Sequence, residues 1–233
     1  MTEEVLLLAP PLEEHARTLR ALVGLGAALG LRGARVEHWP PPLERLDRTE
    51  DLAFSRLDGS IAAVASGFAS GQPALVGLRF GGYLALRAVM ERRASRAVLW
   101  EPVTDPRQYL REIVRVAIAN QLTTYGGNVR FNAEALLVNA RRDGYLLVDG
   151  YQLSAASLDD LEKAPDITPE HADAFRDALS FVFWRNKRGC ERWQERGFDA
   201  VFLPGVRLAW DSIRYVDADP AALISHTAER LQR

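Results

Sequence analysis

The sequence predicts an α/β fold: a parallel sheet of about six strands, covered by helices on both faces and carrying an inserted, mostly helical cap. Three observations predict it. Short apolar runs alternate with longer stretches whose apolar residues recur at helical spacing. The joints between them are short and marked by Gly or Pro, as right-handed crossovers feeding parallel strands require. The short runs are also apolar on both faces, as strands sandwiched between helices are.

Residues 5–9 read as the first strand, stopped by Pro10-Pro11. Residues 13–31 follow as a helix, with Leu19, Leu22, Val23, Leu25 and Leu29 at helical spacing and Gly30 and Gly33 as stop signals. Residues 34–39 form the second strand, ended by Pro40, Pro41 and Pro42. A helix over 51–69, a strand over 74–78, a helix over 82–93 and a strand over 96–100 come next, and Pro102 closes the series. From 105 the rhythm breaks. Helices are predicted over 106–121 and 132–142, on either side of Gly126-Gly127. Asp149-Gly150, between apolar runs at 145–148 and 151–153, signals a hairpin. The division that follows is a core of 1–104 and 166–233 with a cap insertion over 105–165. Alternation resumes with a helix near 169–178, a strand over 180–184, a helix around 188–196 and a strand over 199–203. The closing helix, 221–231, takes Asp219 as N-cap and Pro220 in its first turn.

Composition narrows the function classes. The 233 residues are 48% hydrophobic and 26% charged, which excludes wholesale disorder. Twenty-nine basic residues face 31 acidic ones, with no basic run of five, so nothing draws the chain to nucleic acid or an anionic membrane. The single cysteine, Cys190, permits no internal disulfide or structural zinc site, and it points to a reducing, cytoplasmic compartment. The two acids before the first apolar run argue against a signal peptide, and no stretch has the eighteen apolar residues of a spanning helix. No metal-ligand spacing occurs, and residues 77–82 lack the lysine and Ser/Thr of a phosphate loop, so neither metal nor cofactor is expected.

The segment Leu75-Val76-Gly77-Leu78-Arg79-Phe80-Gly81-Gly82 runs from a buried strand into a helix. Small residues two before and two after the apex are the nucleophile-elbow pattern, G-x-S-x-G, because neighbouring Cβ atoms would clash around so sharp a turn. Here the apex is Arg79. A guanidinium stays protonated and has no lone pair for attack, but a planar five-donor cation at a helix start suits a carboxylate or phosphate. The plainer alternative is a structural ion pair with Glu14 or Glu101.

Several segments together resemble the α/β-hydrolase superfamily, and more narrowly the exosortase A system-associated hydrolases of type 2. They are Ala9-Pro10-Pro11-Leu12-Glu13-Glu14, the elbow Gly77-Leu78-Arg79-Phe80-Gly81, and Leu99-Trp100-Glu101-Pro102-Val103 with Tyr109-Leu110. Val148-Asp149-Gly150-Tyr151-Gln152-Leu153-Ser154 and Leu208-Ala209-Trp210 complete the set, in the same order along most of the chain. The resemblance implies a shortened α/β-hydrolase fold, lacking the two leading strands, whose exposed sheet edge could pair with a second copy as a homodimer. A triad in this fold takes serine at the elbow, an acid after a late strand and histidine before the last helix. This chain has Arg79 at the first place and Phe183-Trp184-Arg185-Asn186 at the second. The third reads Arg207-Leu208-Ala209-Trp210-Asp211, while His226 lies inside the closing helix.

The remaining candidates follow from position. Glu14 and His15, after the first strand, sit near half of the fold's oxyanion hole and are the candidates for proton transfer, although both also suit a helix start. Arg79, Phe80, Trp100, Glu101 and Trp210 are the candidate ligand contacts, on strand ends or where the triad histidine belongs; the aromatic members could equally fill space. His38 reads as a pocket residue or as packing against the triple proline, Tyr125 as a cap element or a turn, and Cys190 as inert. The leading expectation is a triad-less protein binding a small anionic, acyl or peptide-carboxyl ligand, with isomerase or proton-transfer chemistry. The alternatives are a non-enzymatic scaffold in a polysaccharide or natural-product pathway, as the resemblance suggests, and a weak ester or thioester hydrolase.

Overall fold

The structure, a computed structural model, describes residues 3–9, 13–39, 54–125, 132–148, 151–206 and 220–232, without the side chains of 13–17, 19, 54–58, 60, 124, 125 and 151. The chain divides into two compact units. One comprises Met1–Pro42, Ile61–Val103 and Ile167–Arg233, the other Leu43–Ser60 and Thr104–Asp166.

The first unit is built on a six-stranded sheet. Its strands are β1 (Glu4–Leu8), β2 (Arg35–Trp39), β3 (Ala74–Leu78), β4 (Arg96–Trp100), β7 (Leu179–Phe183) and β8 (Asp199–Phe202), in the order β2-β1-β3-β4-β7-β8. Every pairing is parallel, and the register sets Leu8 beside Gly77, Gly77 beside Leu99 and Trp100 beside Val182. The carboxyl ends of the central strands therefore share one edge. Side chains alternate between faces, so one face presents Val5, Leu7, Val76, Leu78, Val98, Trp100 and Val182. These pack with Leu22, Leu25 and Leu29 of α1 (Glu13–Gly30) and Leu223, Ala228 and Leu231 of α9 (Ala221–Leu231). On the other face Phe181 stacks on Trp193 of α8 (Lys187–Gln194) with ring centroids 4.0 Å apart, and α3 (Phe80–Met90) covers β3 and β4.

Among the described residues β2 is one sheet edge, and it carries exposed Arg35 and Glu37, ion-paired at 3.5 Å. Charges of this kind resist edge-to-edge pairing.

The second unit holds α4 (Pro106–Tyr125), α5 (Ala133–Asp143), the antiparallel hairpin β5 (Tyr145–Val148) and β6 (Tyr151–Ser154), and α6 (Ala155–Lys163). Arg141 ties α5 to α6 through Asp159 at 2.9 Å and Glu162 at 2.5 Å, and Arg107 of α4 donates to the Glu162 carbonyl. Sequence periodicity misses α6, whose start is set by Ser154 accepting from the Ser157 amide. α2 (Phe54–Ala65) ends four residues before the predicted end, and the first three predicted positions, 51–53, lie outside the described residues. The helix predicted near 169–178 is a short α7 (Pro169–Ala172) followed by a 3-10 segment, Asp173–Ala178. α3 begins two residues earlier than predicted, directly after the elbow apex. Pro220 is the N-cap of α9 rather than its first residue, and Asp219 lies outside the described residues. No helix among the described residues is long and apolar enough to cross a membrane.

Candidate functional site

The elbow stands at the carboxyl end of β3. Arg79 has φ 52° and ψ −116°, a region that L-residues avoid and that costs about 1–3 kcal/mol. Its amide donates to the Trp100 carbonyl at 2.9 Å, and its own carbonyl accepts from Tyr83 at 3.2 Å and Val103 at 3.0 Å. The peptide groups on both sides are thus locked while the side chain is left at the apex, where it is partly buried.

The flanking glycines are steric requirements. A Cβ on Gly77 would lie 2.5 Å from the Gly81 carbonyl oxygen, and one on Gly81 would collide with the Leu8 carbonyl oxygen of β1. Gly82 leaves only 3.0 Å to Pro102. The turn is as tight as the glycine spacing predicts.

Glu101 follows β4 at the neighbouring strand end and also has a positive φ, 42°. Its carboxylate is buried, and Oε1 accepts three consecutive amides: Trp184 at 2.7 Å, Arg185 at 2.5 Å and Asn186 at 3.1 Å. Asn186 in turn caps α8 by accepting from Gly189 at 2.8 Å. Glu101 therefore braces the loop between β7 and α8 onto the end of β4. Sequence position alone suggests a ligand contact or a partner for Arg79, and it misses this brace. The only signal it offers is an acid at a strand end.

Trp100 is fully buried on the face covered by α1 and α9, and its indole N–H donates to Thr227 Oγ1 at 2.8 Å. That makes it a core side chain rather than a pocket wall, because strand alternation turns it away from the side that Leu99 faces. Phe80 is buried too, stacked on Tyr83 with centroids 5.3 Å apart. Glu14 and His15 fall in the first turn of α1, but their side chains lie outside the described part, as do Trp210 and the side chain of Tyr125.

His38 packs against α1, where the missing side chain of Gly26 makes room for its ring: a Cβ there would lie 2.8 Å from His38 Nε2. Burial pushes its imidazole below the usual range, opposed by the nearby Glu37 carboxylate. His226 Nδ1 lies 3.0 Å from Arg230 Nη1, and Arg230 bonds Asp199 at the start of β8, far along α9 from the elbow edge. Cys190 is buried, and burial raises its thiol pKa, so it is not an activated thiolate. Among the described residues no group of three His, Cys, Asp or Glu could hold a metal.

Solved structures share this architecture. Est1E from Butyrivibrio proteoclasticus is 14% identical with a TM-score of 0.59, the match covering 100% of this chain and 89% of that one. A structure from the metagenome-derived lipolytic enzymes LipS and LipT is 11% identical with a TM-score of 0.59, covering 99% and 94%. A proline iminopeptidase-related protein from Thermus thermophilus is 16% identical with a TM-score of 0.56, covering 99% and 89%. The fold is that of the α/β-hydrolases. No protein-family profile and no curated protein matches the sequence. In the α/β-hydrolase frame the elbow, the Glu101 brace and the first turn of α1 all lie at the carboxyl edge of the sheet, where such folds bind their ligands.

Proposed function

We propose that this α/β-hydrolase-fold protein has no working Ser-His-acid triad and binds a small anionic, acyl or peptide-carboxyl ligand through Arg79. One observation carries the reading: an arginine is held in the strained apex conformation from which the fold presents a nucleophile. Strain of that kind persists only where the surroundings over-determine it, and it concentrates at functional sites. The guanidinium stands at the amino end of the 11-residue α3, whose dipole adds to its attraction for anions.

Two further features weigh against acyl transfer. The sequence supplies no histidine between 207 and 219 and no acid directly after β7. The fold takes its second oxyanion donor from the loop after the strand beside the elbow, here β1. The Ala9 amide already donates to the Trp39 carbonyl at 2.9 Å and Pro10 and Pro11 have no N–H, so the first three residues after β1 offer no donor. Proton abstraction or isomerisation with Glu14 or His15 as base needs neither an acyl-enzyme nor that donor.

A thermal-shift screen of wild type and Arg79→Ala against carboxylates, phosphates, acyl-thioesters and sugar acids tests the reading. A ligand that stabilises wild type but not the variant supports it. A non-enzymatic scaffold is the second reading, favoured by the commitment of Glu101, Trp100 and Phe80 to internal contacts. It predicts no ligand shift that Arg79→Ala abolishes and an Arg79→Ala protein that melts well below wild type. Arg79→Ser should hydrolyse p-nitrophenyl esters no faster than wild type; rapid turnover would reinstate the weak-hydrolase reading.

A further inference from the structure

We propose a second ligand site at the opposite edge of the sheet from the elbow, a cleft of about 280 Å³ that takes the phosphate group of a small phosphorylated molecule. The cleft lies at the amino ends of β4, β7 and β8. Three arginines line it: Arg96 opens β4, Arg176 belongs to the 3-10 segment before β7, and Arg230 ends α9. Two acids, Asp177 and Asp199, share the lining, so among the described residues the positive groups are in excess.

Internal pairing accounts for Arg230 in part. Its side chain is only 9% exposed, and Nη2 donates to Asp199 Oδ1 at 2.6 Å. Asp199 also accepts from Ser180 Oγ at 2.9 Å, so that acid is committed to holding α9 and β7 to β8. Yet among the described residues Arg230 Nε is buried with no hydrogen-bond partner, which is costly for a charged group.

Arg96 and Arg176 are less well accounted for. Arg96 meets Glu3 at 3.2 Å, and Arg176 meets Asp173 and lies over the Phe198 ring at 5.8 Å. Neither Glu3 nor Asp173 lines the cleft. The Asp173 pair is exposed on both sides, and such pairs contribute little. Burial raises the Glu3 carboxyl and Arg96 opposes that rise, so this part-buried pair is kept while a ligand binds. The Arg176 fork can therefore exchange Asp173 for a ligand at small cost, while Arg96, which reaches Glu3 through Nη2, has further guanidinium donors to offer. Gly197, at φ 78°, completes the cradle: a Cβ there would sit 3.2 Å from Arg176 Nη1 and crowd the fork.

The ligand class follows from charge and size. A phosphate monoester carries close to two negative charges and three acceptor oxygens, enough to engage several forks at once where a single carboxylate could not. The volume lies just below the usual range for small-molecule pockets, roughly 300–1,000 Å³, which fits a short phosphate ester.

Inorganic phosphate is the probe, titrated by isothermal calorimetry and thermal shift at constant ionic strength, with chloride as the control anion. Arg96→Gln and Arg176→Gln are the variants, because both side chains are partly or largely exposed and their folding can be checked by circular dichroism. Arg79→Ala separates this site from the elbow. Wild type and Arg79→Ala should bind phosphate alike, and each cleft variant should weaken it at least about tenfold. Binding unchanged in the folded Arg96→Gln and Arg176→Gln proteins, matched by chloride, or undetectable in wild type overturns the proposal. Binding lost only in Arg79→Ala also overturns it, and it assigns the anion to the elbow instead.

Discussion

Glu101 and Arg79 occupy neighbouring strand ends at positive φ, yet their side chains answer to different demands. The carboxylate of Glu101 satisfies three amides, one in a buried bond and two in part-buried ones. Glu101→Ala should therefore cost about 2–4 kcal/mol in urea denaturation, more than any single neutral hydrogen bond. Glu101→Gln keeps an acceptor oxygen and should recover about half of that loss. Equal stability of Glu101→Ala and wild type would remove the brace from consideration. Arg79 is legible in the sequence because its turn is spelled out by glycines two residues away on each side. The brace is not, because its amides lie more than eighty residues from Glu101 in the chain.

The elbow as an element depends on backbone passing backbone. Gly81 lets α3 start against the end of β1, and an alanine there would drive its methyl into the Leu8 carbonyl. The obstruction is main chain, which cannot rotate aside. Gly81→Ala should lose about 3 kcal/mol or more, or fail to accumulate as folded protein. A Gly81→Ala protein with a wild-type melting temperature would mean that α3 begins elsewhere. The sequence reading of strand, turn and helix holds here because the pattern is local. It misses α6 because the cue to its start, a serine cap, has no strong periodic run behind it, and it places the start of α3 late because helix propensity is blind to the apex geometry.

For the molecule as a whole, α1 lies over β2 with His38 fitted beside Gly26, and this contact links global stability to pH. Burial disfavours the imidazolium in the folded chain, with Glu37 opposing the effect. The unfolded chain takes up this proton near pH 6.5, whereas the folded chain resists it. The contribution of His38 is therefore complete above the ordinary histidine range and declines as pH falls below it. Melting temperatures measured from pH 8 down to 5 should show this decline, and His38→Gln should flatten it. An unchanged slope in His38→Gln would place the sensitive group elsewhere. The charges on β2 act at the same scale: the exposed Arg35–Glu37 pair resists edge-to-edge pairing along this strand.

The alternation of strands and helices, the parallel sheet and the arginine at the elbow can all be read from the order of residues. Each is written in neighbours a few residues apart, through side-chain period and the conformational freedom of glycine. Packing in three dimensions was needed to turn Trp100 toward the core, to set Glu101 as the brace of the β7–α8 loop and to gather Arg96, Arg176 and Arg230 in one cleft. Those arrangements depend on the strand order β2-β1-β3-β4-β7-β8, which brings distant segments side by side. Local pattern specifies what an element is; which strand ends meet is settled by how the elements pack, and in this fold the strand ends are where ligands bind.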